Sequence, residues 1–167
     1  MHHRNDHLLA DLLKGAIAGA AATWAMGPVT SYLYQHESKE VRRQEDEARG
    51  GETAYGAAAE KTAALMGKEL TDEQRGTAGR AIHWALGTGA GALYGVLRDR
   101  VPGAGAGAGL LFGTAFWALM DEGANTALGL TPGPMAFPWQ THARGLAGHL
   151  VFGLTADATL RALDAVA

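Results

Sequence analysis

Residues 15–36 contain no Lys, Arg, Asp or Glu. Wound as a helix, an uncharged run of this length covers roughly 30 Å, the thickness of a bilayer's hydrocarbon core. Residues 8–13 extend it on the N-terminal side, and Pro28 is placed to kink it near the far end. A cleaved signal peptide is the other reading of such a start. Here Asp6, Asp11 and Lys14 precede the apolar run and Pro28 and Tyr32 continue it, so an uncleaved first span is expected.

The mean hydropathy of the whole chain is close to zero, which argues against a membrane protein until the charges are located. Residues 37–80 hold 18 of the 31 charged side chains. The rest is mostly Ala, Gly, Leu, Val and aromatics. Gly at 24 of 167 positions, with no collagen period, is unusual for a soluble helical domain, because interior Gly costs about 1 kcal/mol relative to Ala. In lipid Gly is better tolerated and lets helices approach closely. The chain has no Cys, which excludes a disulfide framework and a thiolate metal site. A net charge of −3 and no basic run give no argument for nucleic acid. No Gly-x-Ser-x-Gly, phosphate loop or dinucleotide fingerprint occurs, so no enzyme is expected.

Four apolar stretches organise the sequence as one domain, an all-α polytopic bundle with spans at about 10–36, 79–97, 102–121 and 141–163. The second is bracketed by Arg80 and Arg98, the third opens at Pro102 and closes at Asp121-Glu122, and Pro132, Pro134 and Pro138 break the connection after it. The fourth is short of uncharged length, with only 12 residues between Arg144 and Asp157; if it lies in the interface, three spans remain. Asp157 and Arg161 are one turn apart and placed to pair. Between spans one and two, residues 37–77 form a charged extramembrane segment, with a solvated stretch at 37–47, a break at Gly50-Gly51, a short helix at 53–67 and a cap at Thr71. It lies on the surface or across the mouth of the bundle. Arg98 and Arg100 in the short second connection, against no Lys or Arg at 123–141, place both termini in the cytoplasm and residues 37–77 outside. A soluble helical interaction domain is the remaining class.

Glycines recur every fourth residue at Gly15 and Gly19, at Gly87, Gly91 and Gly95, and at Gly105, Gly109 and Gly113. Each set makes a flat stripe suited to close helix packing, inside one bundle or between copies. Trp24-Ala25-Met26 against Trp117-Ala118-Leu119-Met120, and His83/Gly87 against His149/Gly153, sketch a faint duplication.

His83, Asp121, Glu122, His142 and His149 all fall toward one end of the predicted bundle. Ionisable groups at membrane depth are costly and are paired or functional. Three readings follow, in descending order of preference: a satisfied polar network; a divalent-metal or proton site, since His with carboxylate suits both; and haem held by His83 and His149.

These residues bring a resemblance into view. The His-bearing second stretch with Gly-Ala-Leu-Tyr-Gly at 91–95, the turn at 98–102, Gly129-Leu130-Thr131-Pro132, Phe137-Pro138-Trp139 and Gly148-His149-Leu150-Val151 resemble the YagU-type family of bacterial inner-membrane proteins, whose function is uncharacterised. The likeness covers less than half of the chain, and neither Asp121-Glu122 nor the segment 37–77 matches it, which implies a divergent branch. It implies a multi-span inner-membrane protein in a lipid bilayer and supplies no reaction. The expectation is therefore a non-enzymatic accessory or stress-related membrane component, forming a homo-oligomer or attached to a membrane-protein partner. The alternative is a small transporter or proton/metal-handling protein using the His/carboxylate cluster in the outer leaflet.

Overall fold

A computed structural model describes residues 2–166, with side chains from His7 onward. The described residues form helices and turns with no strand: α1 (His2–His36), α2 (Lys39–Arg49), α3 (Ala54–Leu65), α4 (Asp72–Leu97), α5 (Leu110–Trp117), a π-helical segment (Ala118–Ala124), α6 (Asn125–Ala127) and α7 (Trp139–Ala165). The all-α class read from the sequence is the observed one.

Local chemistry sets the boundaries. Ser38 and Thr53 cap α2 and α3 through their hydroxyls, and Gly50 ends α2 in the left-handed conformation at φ 63°. Thr71 and Gln74 form a capping box that starts α4. The Thr71 start and the apolar stretch 81–97 thus belong to one 26-residue helix. α1 continues through Pro28.

The third stretch departs from expectation. Residues 102–109 form consecutive tight turns instead of opening a helix at Pro102. Gly103, Gly107 and Gly109 all have positive φ, as does Ala108 at 55°. Alternating Gly and Ala offer no side chain whose packing would offset the entropy of winding Gly into a helix. The helix begins at Leu110 and runs through the π-helical segment to Ala127.

α1 lies between α4 and α7; α5 packs on α7, and α3 on the N-terminal half of α4. The α1–α4 and α5–α7 contacts are made by bare backbone. A Cβ on Gly19 would fall 2.5 Å from the Gly87 carbonyl oxygen, and one on Gly15 the same distance from that of Gly91. Gly95 packs against Asp11 and Gly15 in the same way. On α5, Gly109 and Gly113 meet the backbone of Gly153 and His149. Gly105 stands apart: it sits in the turns, and its nearest neighbours would be 3.8 Å from a Cβ. The glycine faces are thus spent inside the bundle.

The buried core is small, built around Ala18, Ala22, Tyr94, Phe152, Ala156 and Leu160. Large apolar side chains point outward: Trp24 is 71 % exposed and Leu13 58 %. Within His7–His36, α1 is long and apolar enough to cross a membrane; it is the one described helix that meets that test. α4 begins with a polar third, and α7 carries Arg144, Asp157, Arg161 and Asp164.

Candidate functional site

One end of the bundle holds a partly open cavity of about 350 Å³, and His83, Asp121, Glu122, His142 and His149 all border it. Three elements deliver them: the N-terminal half of α4, the π-helical segment and the first three turns of α7. α2 and α3 approach from above with Arg49 and Tyr55.

The π-helical segment explains how adjacent carboxylates serve one site. Successive residues of an α-helix diverge by about 100°. The wider i→i+5 winding reduces that angle, so Asp121 and Glu122 both turn toward α7. Each meets a different histidine, and those two are seven residues apart on one helix face. Glu122 Oε1 lies 2.7 Å from His142 Nδ1, and His142 Nε2 lies 3.1 Å from the Pro134 carbonyl oxygen. A carbonyl only accepts, so Nε2–H donates to it. A neutral ring would then turn a lone pair toward the carboxylate. The 2.7 Å contact therefore holds a proton, as imidazolium and carboxylate or as imidazole and carboxylic acid.

His149 is 5 % exposed. Its Nδ1–H donates to the Gly145 carbonyl at 2.9 Å, and Asp121 Oδ2 stands 3.7 Å from the same nitrogen, outside hydrogen-bond reach. Phe116 meets the ring edge-on at 5.2 Å. The His83 ring packs on Tyr55 at 4.8 Å. Burial first, then the Asp121 charge, push the Tyr55 hydroxyl up to about 12, so it is neutral at physiological pH.

The geometry weighs on the cofactor readings. Among the described residues no group of three His, Asp or Glu side chains is placed to hold one metal ion. His83 and His149 share a second void of about 20 Å³ beside Phe116 and Phe152. That is room for about one water. A porphyrin held between the two rings does not fit.

The sequence reading did not find the ionic cluster that closes the cavity. Arg144 donates to Glu37 Oε1 at 2.5 Å and to both oxygens of Glu45 at 2.6 Å. Arg49 donates to Glu45 Oε1, and Thr141 to Glu45 Oε2 at 2.9 Å. Glu45 is the only buried residue of α2, so an otherwise solvated helix is pinned to the mouth by one carboxylate. Burial pushes Glu45 up, but hydrogen bonds from Arg144 and Arg49 outweigh it and hold the carboxyl below the usual glutamate range. Nothing local separates Glu45 from Glu40 or Glu47 in the sequence. The legible signal was Arg144, a lone cation in an apolar stretch that needs a partner.

At the opposite end, Arg100 meets Asp11 at 2.7 Å, and Lys14 and Arg98 both hold Asp164. Hydrogen bonds from Lys14 and then Arg98 keep Asp164 below its ordinary range despite some burial. Between the ends, buried Asp157 takes the Tyr94 hydroxyl at 2.8 Å and Arg161 at 2.6 Å.

No protein-family model, curated protein or solved structure matches this chain.

Proposed function

We propose that this chain is a small integral protein of the bacterial inner membrane, a divergent YagU-like protein with a non-enzymatic, accessory or stress-related role. The observation that carries the reading is the exposed apolar surface of α1: glycine and alanine backbones pack inside while Trp24, Leu13 and Ile17 face outward, as Leu119 does beside it. Lipid would solvate such a surface. α4 and α7, at 26 and 27 residues, each reach about 39 Å and exceed the hydrocarbon thickness. Four spans, the third being the helix from Leu110 to Ala127 with the turns at 102–109 at the interface, would leave the ionic clusters of the two ends at the two interfaces. Both termini lie in the cytoplasm, and α2 and α3 roof the cavity outside. Assembly with further copies or a partner uses faces other than the glycine stripes.

Carbonate washing of membranes tests this directly: the chain stays with the bilayer. A monomer that is folded and monodisperse without detergent refutes it. Because the chain lacks Cys, single replacements Lys68→Cys and Asp99→Cys report topology. The first is labelled from outside by an impermeant maleimide and the second is not.

The proton held between Glu122 and His142 favours a second reading of the same protein, a proton- or solute-handling role for the cavity. Vesicles with an entrapped pH dye test it: flux is lost in Glu122→Gln and His142→Gln and kept in Lys68→Cys.

A further inference from the structure

Two unsatisfied groups sit side by side at Gly145 in the cavity wall. A Cβ on that glycine would lie 3.0 Å from Asp121 Oδ2 and 3.1 Å from Trp117 Nε1. The indole N–H is buried and finds no acceptor. The Asp121 carboxylate receives no hydrogen bond among the described residues, since His149 gives its Nδ1–H to Gly145. Both groups border the cavity. A buried donor without an acceptor and a half-buried carboxylate without a donor are both unfavourable states that a ligand can relieve.

The neighbouring charges decide the sign of that ligand. Arg49 and Arg144 also line the cavity, but they are engaged by Glu45 and Glu37, and those four charges cancel. Glu122 shares its proton with His142. Asp121, with no hydrogen bond and the His149 ring nitrogen 3.7 Å away, is the carboxylate of the wall left to be met, which calls for a cation. With no trio of metal ligands assembled, a nitrogen cation suits better than a metal ion. Tyr55, Phe137 and Trp117 line the same space, and aromatic faces attract such cations. A volume of about 350 Å³ is in the range of small-molecule pockets, roughly 300–1,000 Å³.

We propose that the cavity binds a small primary ammonium group with an oxygen on a neighbouring carbon, the ammonium on Asp121 and the oxygen accepting the Trp117 indole N–H. A plain alkylamine leaves Trp117 unmet, and a neutral diol can hydrogen-bond both groups but leaves the Asp121 charge unpaired. A free amino alcohol and the headgroup of an ethanolamine lipid both present this chemistry. The inference deepens the second reading above by naming the solute class.

Trp117 supplies its own probe. In ¹⁵N-labelled protein in detergent, Trp117→Phe assigns one of the four indole N–H resonances. Ethanolamine shifts that resonance saturably, and propylamine and ethylene glycol both bind more weakly. Asp121→Asn weakens the response at least about tenfold, as expected for loss of a hydrogen bond to a charged acceptor. If the source is lipid, nanodiscs of phosphatidylethanolamine move the resonance relative to phosphatidylcholine while free ethanolamine does not. A resonance unmoved by both sources overturns the proposal. So does an equal response in Asp121→Asn, and so does an equal response of the unsubstituted protein to ethylene glycol. Binding without flux in the vesicle assay removes the transport reading and leaves this one standing; proton flux without binding does the reverse.

Discussion

Replacing Gly91 by Ala adds one methyl group where α1 and α4 touch backbone to backbone. Its Cβ would fall 2.5 Å from the Gly15 carbonyl oxygen and closer still to the backbone of Gly19. Ordinary contact needs about 3.5 Å, so the helices must part by roughly 1 Å. Neither obstacle is a side chain that can rotate away. The separation also loosens the contacts of Gly15, Gly19, Gly87 and Gly95, which share the crossing. Overpacking of this kind costs about 1–3 kcal/mol. Against it stands the better helix propensity of Ala, up to about 1 kcal/mol. Gly89 isolates that second effect. It lies on the same helix two residues away, and a Cβ there meets nothing within 4 Å. The difference in stability between Gly91→Ala and Gly89→Ala is therefore the packing cost alone, about 1–3 kcal/mol, with Gly89→Ala neutral or stabilising. Reversible unfolding in mild detergent, followed by circular dichroism, measures both. Equal stabilities would show that the α1–α4 crossing is not set by bare backbone, and the account of the glycine stripes would fail.

The ionic clamp yields two further expectations. Arg144→Met strands Glu37 and leaves Glu45 to Arg49 and Thr141, with both carboxylates largely buried; removing one partner of such a pair costs about 3–5 kcal/mol. α2 avoids most of that cost by undocking, so limited proteolysis at 49–52 accelerates while the core of α1, α4 and α7 stays resistant. Acid acts on the same contact. Glu45 is held below its ordinary range when folded, so its contribution is full above the unfolded glutamate value of about 4.3 and is lost as pH falls through the lower folded value. Amide exchange in α2 should rise, relative to α1, as pH is taken below about 4; α2 protection unchanged by acid would contradict the role given to Glu45. Tyr94→Phe removes the hydroxyl that Asp157 accepts in the core, a loss of about 1.5–3 kcal/mol in the same unfolding assay.

Several features could be read directly from the residues. The hydroxyl cap at Thr71, and the Gly50-Gly51 break after a charged run, are local signals, and local hydrogen bonding alone places those helix ends. The four-residue glycine spacing marks flat helix faces for the same reason. His83, Asp121, Glu122, His142 and His149 could be assigned to one end of the bundle by counting residues from each helix end, because helix rise is constant. Other features depend on neighbours far along the chain. Residues 102–109 are apolar enough for a span, but glycine and alanine carry no side chain to hold them in a helix, and the turns form instead. Glu45 is distinguished from the other glutamates of α2 only by the arrival of Arg144 from α7, and Trp117 acquires an unmet donor only because Gly145 brings α7 against it. Composition and periodicity determine which segments wind and which faces are bare. Tertiary packing decides which of many equivalent charges is buried, because desolvation is set by what another segment places beside it.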